Sequence, residues 1–267
     1  AINLEPKRGT LNINGFDEPL HHLQGAIQLH NQTPSSNNIR ATVYGVPVTA
    51  SLKTLQARSN DNSLHYALTY AGRLQLPTQA AGLSRIIPQP YLKFLQGSSA
   101  INGEVLADNQ GLQRFSLNSP MTGMAVNLPA PMTKIAAQTQ NMNFVLLRPP
   151  LTREQAAQPL EGTLRWQDRL SARLRLRDRG GIHSAAIQWG ERVPTLGTQS
   201  GWWLFGDFPA LNWDEWQPIV SELSEVAPDP VTGLEVGQGS LDNTATLPLR
   251  MVDINSPKLT AFGQQWG

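Results

Sequence analysis

Residues 160–189 read LEGTLRWQDRLSARLRLRDRGGIHSAAIQW, and their alternation decides the fold. Leu164 and Trp166 share one face of a first strand, and Gln167-Asp168 makes a tight turn. Leu170, Ala172, Leu174 and Leu176 then point one way, and Ser171, Arg173, Arg175 and Arg177 the other. A period of two is the signature of a half-buried strand, because successive side chains leave a pleated backbone on opposite sides. Arg179-Gly180-Gly181 turns the chain again, and Ile187 and Trp189 return on the apolar face. The stretch is a three-stranded antiparallel meander with one apolar and one polar face.

The same grammar extends outward in both directions. Gly25 to Leu29 alternates, Ile39 to Tyr44 and Val46 to Leu52 read as two strands around Gly45, and Leu64, Tyr66, Leu68 and Tyr70 line one face of another. Between Leu76 and Gln96 the pattern loosens at Pro77, Pro88 and Pro90, which predicts a short helical insertion near 88–97. Strands resume at Ala100 to Leu106, Gln113 to Leu117 and Gly123 to Leu128, and after a Pro-rich joint at 128–132 another strand covers Met142 to Leu146. Asn212 as N-cap, Asp214 and Glu215 in the first turn, and Trp216, Ile219, Val220 and Leu223 at helical spacing predict a helix near 213–226, ended by Pro228 and Pro230. Strands at Thr244 to Ile254 and Lys258 to Phe262 follow. No alternation of strand and helix is visible, which argues against a Rossmann fold or a TIM barrel. The expected fold is mostly β (α+β): an elongated, twisted antiparallel sheet forming a groove, with one or two covering helices. The expected organisation is a first β module over 1–134 and a second over 135–267.

Composition bounds the chemistry. With 267 residues, 40% of them hydrophobic, the chain can bury a real core, while only 15% are charged. Its polar surface therefore comes from Asn, Gln, Ser and Thr, which suit sheet edges and turns. The formal net charge of +1 gives no electrostatic case for nucleic acid. The absence of cysteine excludes thiolate metal sites, disulfides and Cys nucleophiles, and suits an oxidising compartment. No apolar run approaches the roughly 20 residues that cross a bilayer. Ala1 is not a natural start, so the chain reads as an internal piece of a longer protein, with any membrane anchor outside it.

No motif carries catalysis or a cofactor. His21 and His22 are neighbours on opposite strand faces and lack a supporting carboxylate, so no metal site is expected. Phosphate loop, dinucleotide fingerprint, nucleophile elbow and zinc-protease helix are absent. Asp207 and Asp214 could be posed as a glycosidase pair, but a helix N-terminus and a Gly-Asp turn account for them. Arg173, Arg175 and Arg177 form a stripe that suits a lipid phosphate or an acidic partner; the simpler reading is a solvated outer face paired with Asp168, Asp178 or neighbours. In Gly201-Trp-Trp-Leu-Phe-Gly206, Trp202 and Leu204 oppose Trp203 and Phe205. Such a strand either separates a helix from an apolar groove or lies in an ordinary core.

Three segments together resemble the YhdP branch of the AsmA-like family: Ala41-Thr-Val-Tyr-Gly-Val-Pro-Val48; Ser119 to Lys134, with its Leu-Pro-Ala-Pro-Met-Thr-Lys ending; and Ala186-Ile-Gln-Trp-Gly190 followed by the aromatic run 201–216. In the second, Met132 stands where the family pattern has Leu. The resemblance spans roughly Thr10 to Phe262. It implies a segment of a periplasmic protein, anchored in the inner membrane, that carries phospholipid between inner and outer membranes and supports the outer-membrane barrier. It implies no enzyme activity and no cofactor; the partners are phospholipid or another acyl lipid and neighbouring segments of the same parent chain. The expected groove lining is Phe144, Leu146, Leu164, Trp166, Leu174, Leu176, Ile187 and Trp189, all in one strand phase, with Arg173, Arg175 and Arg177 as headgroup or partner contacts. A non-catalytic envelope scaffold would instead show a closed core. An enzyme acting on envelope glycans would show a polar cleft with convergent carboxylates.

Overall fold

A computed structural model describes residues 2–4, 9–11, 19–30, 33–56, 64–84, 87, 89–108, 111–149, 159–176, 182–190, 192–225 and 249–267. The first half holds β1 (Ile2–Leu4), β2 (Gly9–Leu11), β3 (Leu20–Gln24), β4 (Ile27–His30), β5 (Thr33–Val43), β6 (Val46–Gln56), β7 (Leu64–Leu76), α1 (Ala80–Leu83), α2 (Gln89–Leu92), β8 (Leu95–Asp108), β9 (Gly111–Ser119) and β10 (Met124–Val126). The second holds β11 (Met142–Leu147), β12 (Glu161–Trp166), β13 (Leu170–Leu176), β14 (Ile182–Trp189), β15 (Gly201–Asp207), β16 (Leu211–Asn212), α3 (Trp213–Glu225), β17 (Leu249–Asn255), β18 (Leu259–Ala261) and β19 (Gln264–Trp266).

One large sheet runs in the order β1-β4-β5-β6-β7-β8-β9-β11-β12-β13-β14-β15-β17, with β2, β3 and β10 attached off this path. The expected mostly-β architecture is what the chain adopts. Each hairpin is closed by local chemistry. Tyr44 and Gly45 both take positive φ between β5 and β6, the primed turn whose twist matches the strands it joins. Gln167, also at positive φ, opens the β12–β13 turn, leaving Trp166 opposite Leu170. The expected module boundary near 134 falls in the loop between β10 and β11, and β11 pairs with β9 of the first half.

The sheet departs from the expected antiparallel plan at its C-terminal side. β14 pairs β15 in parallel, and β15 pairs β17 in parallel, with α3 in the connection. The second step is a strand–helix–strand crossover of the kind the sequence did not announce. Parallel neighbours need a connection that returns to the starting end, and residues 190–200 and the α3 region supply it. A separate three-stranded sheet, β16-β18-β19, sits beside α3.

Asn212 does not cap α3 as expected. Its Nδ2 donates to Glu215 Oε1 at 2.8 Å, while its Oδ1 accepts from no partner. Asp214 reaches out of the helix instead: its carboxylate accepts the amides of Phe262 and Gly263 at 2.7 and 2.8 Å. Those residues form the β18–β19 turn at φ 55 and 70, a conformation costly for phenylalanine, and Phe262 is 84% exposed. Two charge-assisted hydrogen bonds hold the turn against that cost. Asp214→Ala should therefore cost about 2 kcal/mol. Amide exchange at Phe262 and Gly263 should accelerate ahead of the main sheet.

Candidate functional site

Cross-strand partners in a ladder share a face, so the register identifies which side chains lie side by side. One row runs Leu68, Val105, Phe115, Leu146, Gly162, Leu174 and Ala185 to Trp202. The next runs Tyr70, Gly103, Leu117, Phe144, Leu164, Ala172 and Ile187 to Leu204 and Val252. A third joins Met142, Trp166, Leu170 and Trp189. Within these rows every position is apolar except the Tyr70 hydroxyl, so the sheet carries one apolar face from β7 to β15; the first row continues through Leu52 to Ser36, and the third ends on Ser119.

All eight expected lining residues fall on that face. Leu146 and Trp166 are buried, whereas Phe144, Leu164, Leu174, Leu176, Ile187 and Trp189 are half-buried. The face is more open still at β17, where Val252 is 52% exposed. Sequence reasoning placed the lining in the second half alone and missed Tyr70 and Phe115. Their rings stack at 6.0 Å, and Phe115 meets Phe144 at 6.2 Å, giving an aromatic run across the face. The alternation of Leu68 and Tyr70 carried the signal, but nothing in it says that β7 belongs to the same surface as β13.

Gly103 makes that run possible. A Cβ there would lie 1.8 Å from Ser116 O and 2.6 Å from the Tyr70 hydroxyl, so Tyr70 lies across the glycine and donates to Ser116 O at 2.8 Å. Burial pushes the Tyr70 phenol well above its ordinary value of 10.0. An unfolded tyrosine loses its proton near pH 10 while the folded one retains it, so stability falls as pH rises beyond about 10. Tyr70→Phe should cost about 1 kcal/mol at pH 8 for the lost hydrogen bond. Urea midpoints for the variant should then fall less steeply than for the parent between pH 8 and pH 11.

One strand end of the apolar face is walled. Residues 120–141 arch over it, and Met121, Met124 and Val126 are buried in one cluster with Leu76, Leu83, Leu92, Ile101, Trp166 and Leu170. α1 and α2 contribute Leu83 and Leu92, and α1 packs so closely on the β5–β6 turn that a Cβ on Gly82 would meet Tyr44 O at 2.2 Å. α3 joins the wall from the other side: Trp216 Nε1 donates to Ala130 O at 3.0 Å, and Lys93 pairs with Glu222.

The arginine stripe lies on the opposite, polar face. Arg173 and Arg175 share Glu161, at 3.4 and 3.0 Å, a cross-strand neighbour where Asp168, Asp178 or neighbours were expected. Arg177 lies outside the described residues, as do Asp178 and the turn at 179–181. One part-exposed carboxylate between two guanidinium groups contributes little stability. A lipid lying on the apolar face could not present its headgroup to these arginines, since the sheet separates them.

The remaining candidates resolve locally. Asp207 accepts from Asn255 Nδ2 at 3.2 Å, and Asp214 serves the β18–β19 turn, so the two carboxylates are committed apart. Among the described residues no group of His, Asp and Glu is arranged to hold a metal ion. An open cleft of about 440 Å³ is lined by His22, Gln24, Arg40, Thr42 and Thr49, with no carboxylate among its lining residues. In β15, Trp202 and Leu204 face the apolar rows, and Trp203 lies against Gly197 of the preceding connection, where a Cβ would sit 2.4 Å from the indole. No described helix is long and apolar enough to cross a membrane. Neither a curated protein nor a solved structure matches the chain. A family model described as YhdP protein matches residues 3–267.

Proposed function

The chain belongs to the YhdP family, and on that premise we propose that it is one segment of a periplasmic AsmA-like bridge protein that carries phospholipid between the inner and outer membranes and supports the outer-membrane barrier. The parent protein is anchored in the inner membrane, and neighbouring segments of the same chain continue the path. The observation that carries this reading is the apolar face itself. Its two central rows cross from β7 to β15 without a polar interruption beyond Tyr70, yet six of its eight expected lining residues stay half-buried.

A surface of that kind suits an acyl chain. Exposing a lipid tail to water costs about 0.8 kcal/mol per methylene, and a continuous apolar path removes most of that cost without any chemistry. The lining is Phe144, Leu146, Leu164, Trp166, Leu174, Leu176, Ile187 and Trp189, extended by Tyr70 and Phe115. Arg173 and Arg175, on the far face, are left for an acidic partner and not for the headgroup of the carried lipid.

The test is binding of cis-parinaric acid, a fluorescent acyl chain, to the purified chain. Leu174→Asp with Leu176→Asp places two carboxylates on half-exposed positions, where the fold tolerates them better than in the buried cluster. Affinity should fall at least tenfold, about 1.4 kcal/mol, with the circular dichroism unchanged. Equal binding by parent and variant would contradict the assignment of the path, and no binding by either would favour the envelope scaffold.

A further inference from the structure

Lys134 is the most deeply buried charged side chain among the described residues, at 1% exposure. It has no carboxylate within ion-pair distance among those residues. Its ammonium donates to Met121 O at 2.7 Å, Met124 O at 2.6 Å and Ile135 O at 3.1 Å. Three donors meet three acceptors, the full capacity of a lysine head. Burial lowers its pKa, while the carbonyls favour the protonated form.

The arch that contains Lys134 needs such a group. Pro129 and Pro131 have no N–H to offer, and the described ladder inside the arch is the single bridge between Val126 and Lys134. Met121 O and Ile135 O each accept one turn amide, from Met124 N at 3.1 Å and Gln138 N at 3.2 Å, and the ammonium adds a second, charged donor to both. Lys134 thus works from within, drawing Met121, Met124 and Ile135 onto one point. External ties then hold the arch to both halves of the sheet. Asn127 N donates to Phe94 O at 2.8 Å, Arg169 Nη1 to Thr133 O at 3.1 Å, and Trp216 Nε1 to Ala130 O at 3.0 Å.

We infer that residues 120–136 are the fixed end wall of the acyl path and that Lys134 is the positioning residue that keeps the wall closed. This rests on the lipid-carrying reading of the apolar face. Exposure along β12 fits it: Trp166, beside the arch, is 8% exposed, while Leu164, one pleat further in, is half-buried. With one strand end sealed, an acyl chain is confined to the cross-strand rows through Phe115, Phe144 and Leu174. It therefore travels across the strands instead of along them and out past Trp166.

The test uses the purified 267-residue chain and a phosphatidylethanolamine with a diazirine on one acyl chain. Capture yield and the cross-linked residues are read by mass spectrometry. In the parent, cross-links should fall on the rows at Phe115, Phe144 and Leu174. Lys134→Met should lower the yield at least fivefold and scatter the remaining cross-links into 120–136. Thr122 and Thr139 place their hydroxyls 2.8 Å apart at the base of the arch. Cysteines there, in a chain that has no others, can be joined as a disulfide. That staple in the Lys134→Met background should restore the yield to within about twofold of the parent if the lysine acts by holding the arch. Arg169→Met, which cuts one of the arch's ties to the sheet and leaves its interior and the β10–β8 pairing intact, should lower the yield by less than Lys134→Met, and the staple should not restore that loss. Capture by Lys134→Met equal to the parent in yield and position overturns the inference, and so does a stapled Lys134→Met chain that stays empty. A parent chain that captures no lipid overturns the lipid-carrying reading itself.

Discussion

Gly103→Ala should lower the unfolding free energy by about 3 kcal/mol, the upper end of what overpacking costs. The added methyl would lie 1.8 Å from a main-chain oxygen, Ser116 O, and 2.6 Å from the Tyr70 hydroxyl. A flexible side-chain end can move aside cheaply, but a carbonyl in a paired strand cannot move without shifting β9 against β8. A double variant separates the two contacts. Tyr70→Phe removes the hydroxyl, so if the phenol were the obstacle it would rescue most of the loss. Since the carbonyl is nearer, Gly103→Ala in the Tyr70→Phe background should recover less than about 1 kcal/mol in a urea melt. A single variant that melts with the parent would show that β8 and β9 part freely at this point, and that the aromatic run does not depend on the glycine.

Lys134→Met should cost a comparable amount, about 3 kcal/mol, by a different route. Methionine fills a similar volume but donates nothing to the carbonyls of Met121, Met124 and Ile135. Lys134→Arg should also destabilise, since a planar guanidinium cannot place three donors on acceptors arranged around a single ammonium. Urea midpoints should show the loss, and amide exchange should assign it: the amides of Val126 and Lys134, which bond each other's carbonyls at 2.8 and 3.1 Å, should open first. Parent-like protection there in either variant would remove the lysine from its role. The Leu-Pro-Ala-Pro-Met-Thr-Lys segment that marked the family resemblance thus ends on the residue that organises its own loop.

Several of these features follow from the sequence by counting, and others do not. The 160–189 meander is legible because alternation fixes the face; its register is not, because the turn read at Gln167-Asp168 also takes in Arg169 and so sets Trp166 opposite Leu170. Counting outward from Trp166 opposite Leu170 puts Glu161 opposite Arg175, which is the ion pair observed. The expectation named Asp168, Asp178 or neighbours from nearness in sequence, and cross-strand position is what selects Glu161 for Arg173 and Arg175. The parallel pairings of β14, β15 and β17 are a different matter. A strand's own residues state which face is apolar, not which neighbour it has, and the connection at 190–200 carries no helix to announce a crossover.

The wall was hidden for a related reason. A lysine in a Pro-rich stretch reads as a solvated loop, and the three carbonyls that bury it are invisible to any pattern of side chains. Asp214 illustrates the same limit: its place in the first helical turn was foreseen, but the amides that donate to it lie 48 and 49 positions away, in a turn no local signal connects to it. The half of the apolar face contributed by Tyr70 and Phe115 was missed because faces become continuous only through the register of β7, β8, β9 and β11.

The most direct measurement is native mass spectrometry of the intact chain purified from a Gram-negative host under conditions that keep bound lipid. If the apolar face carries phospholipid, the spectrum should show the chain with one or more adducts of phospholipid mass, which Leu174→Asp with Leu176→Asp removes while the fold is kept. A folded, monomeric chain at its bare mass, in both parent and variant, would contradict that account and leave the face as the floor of an ordinary scaffold.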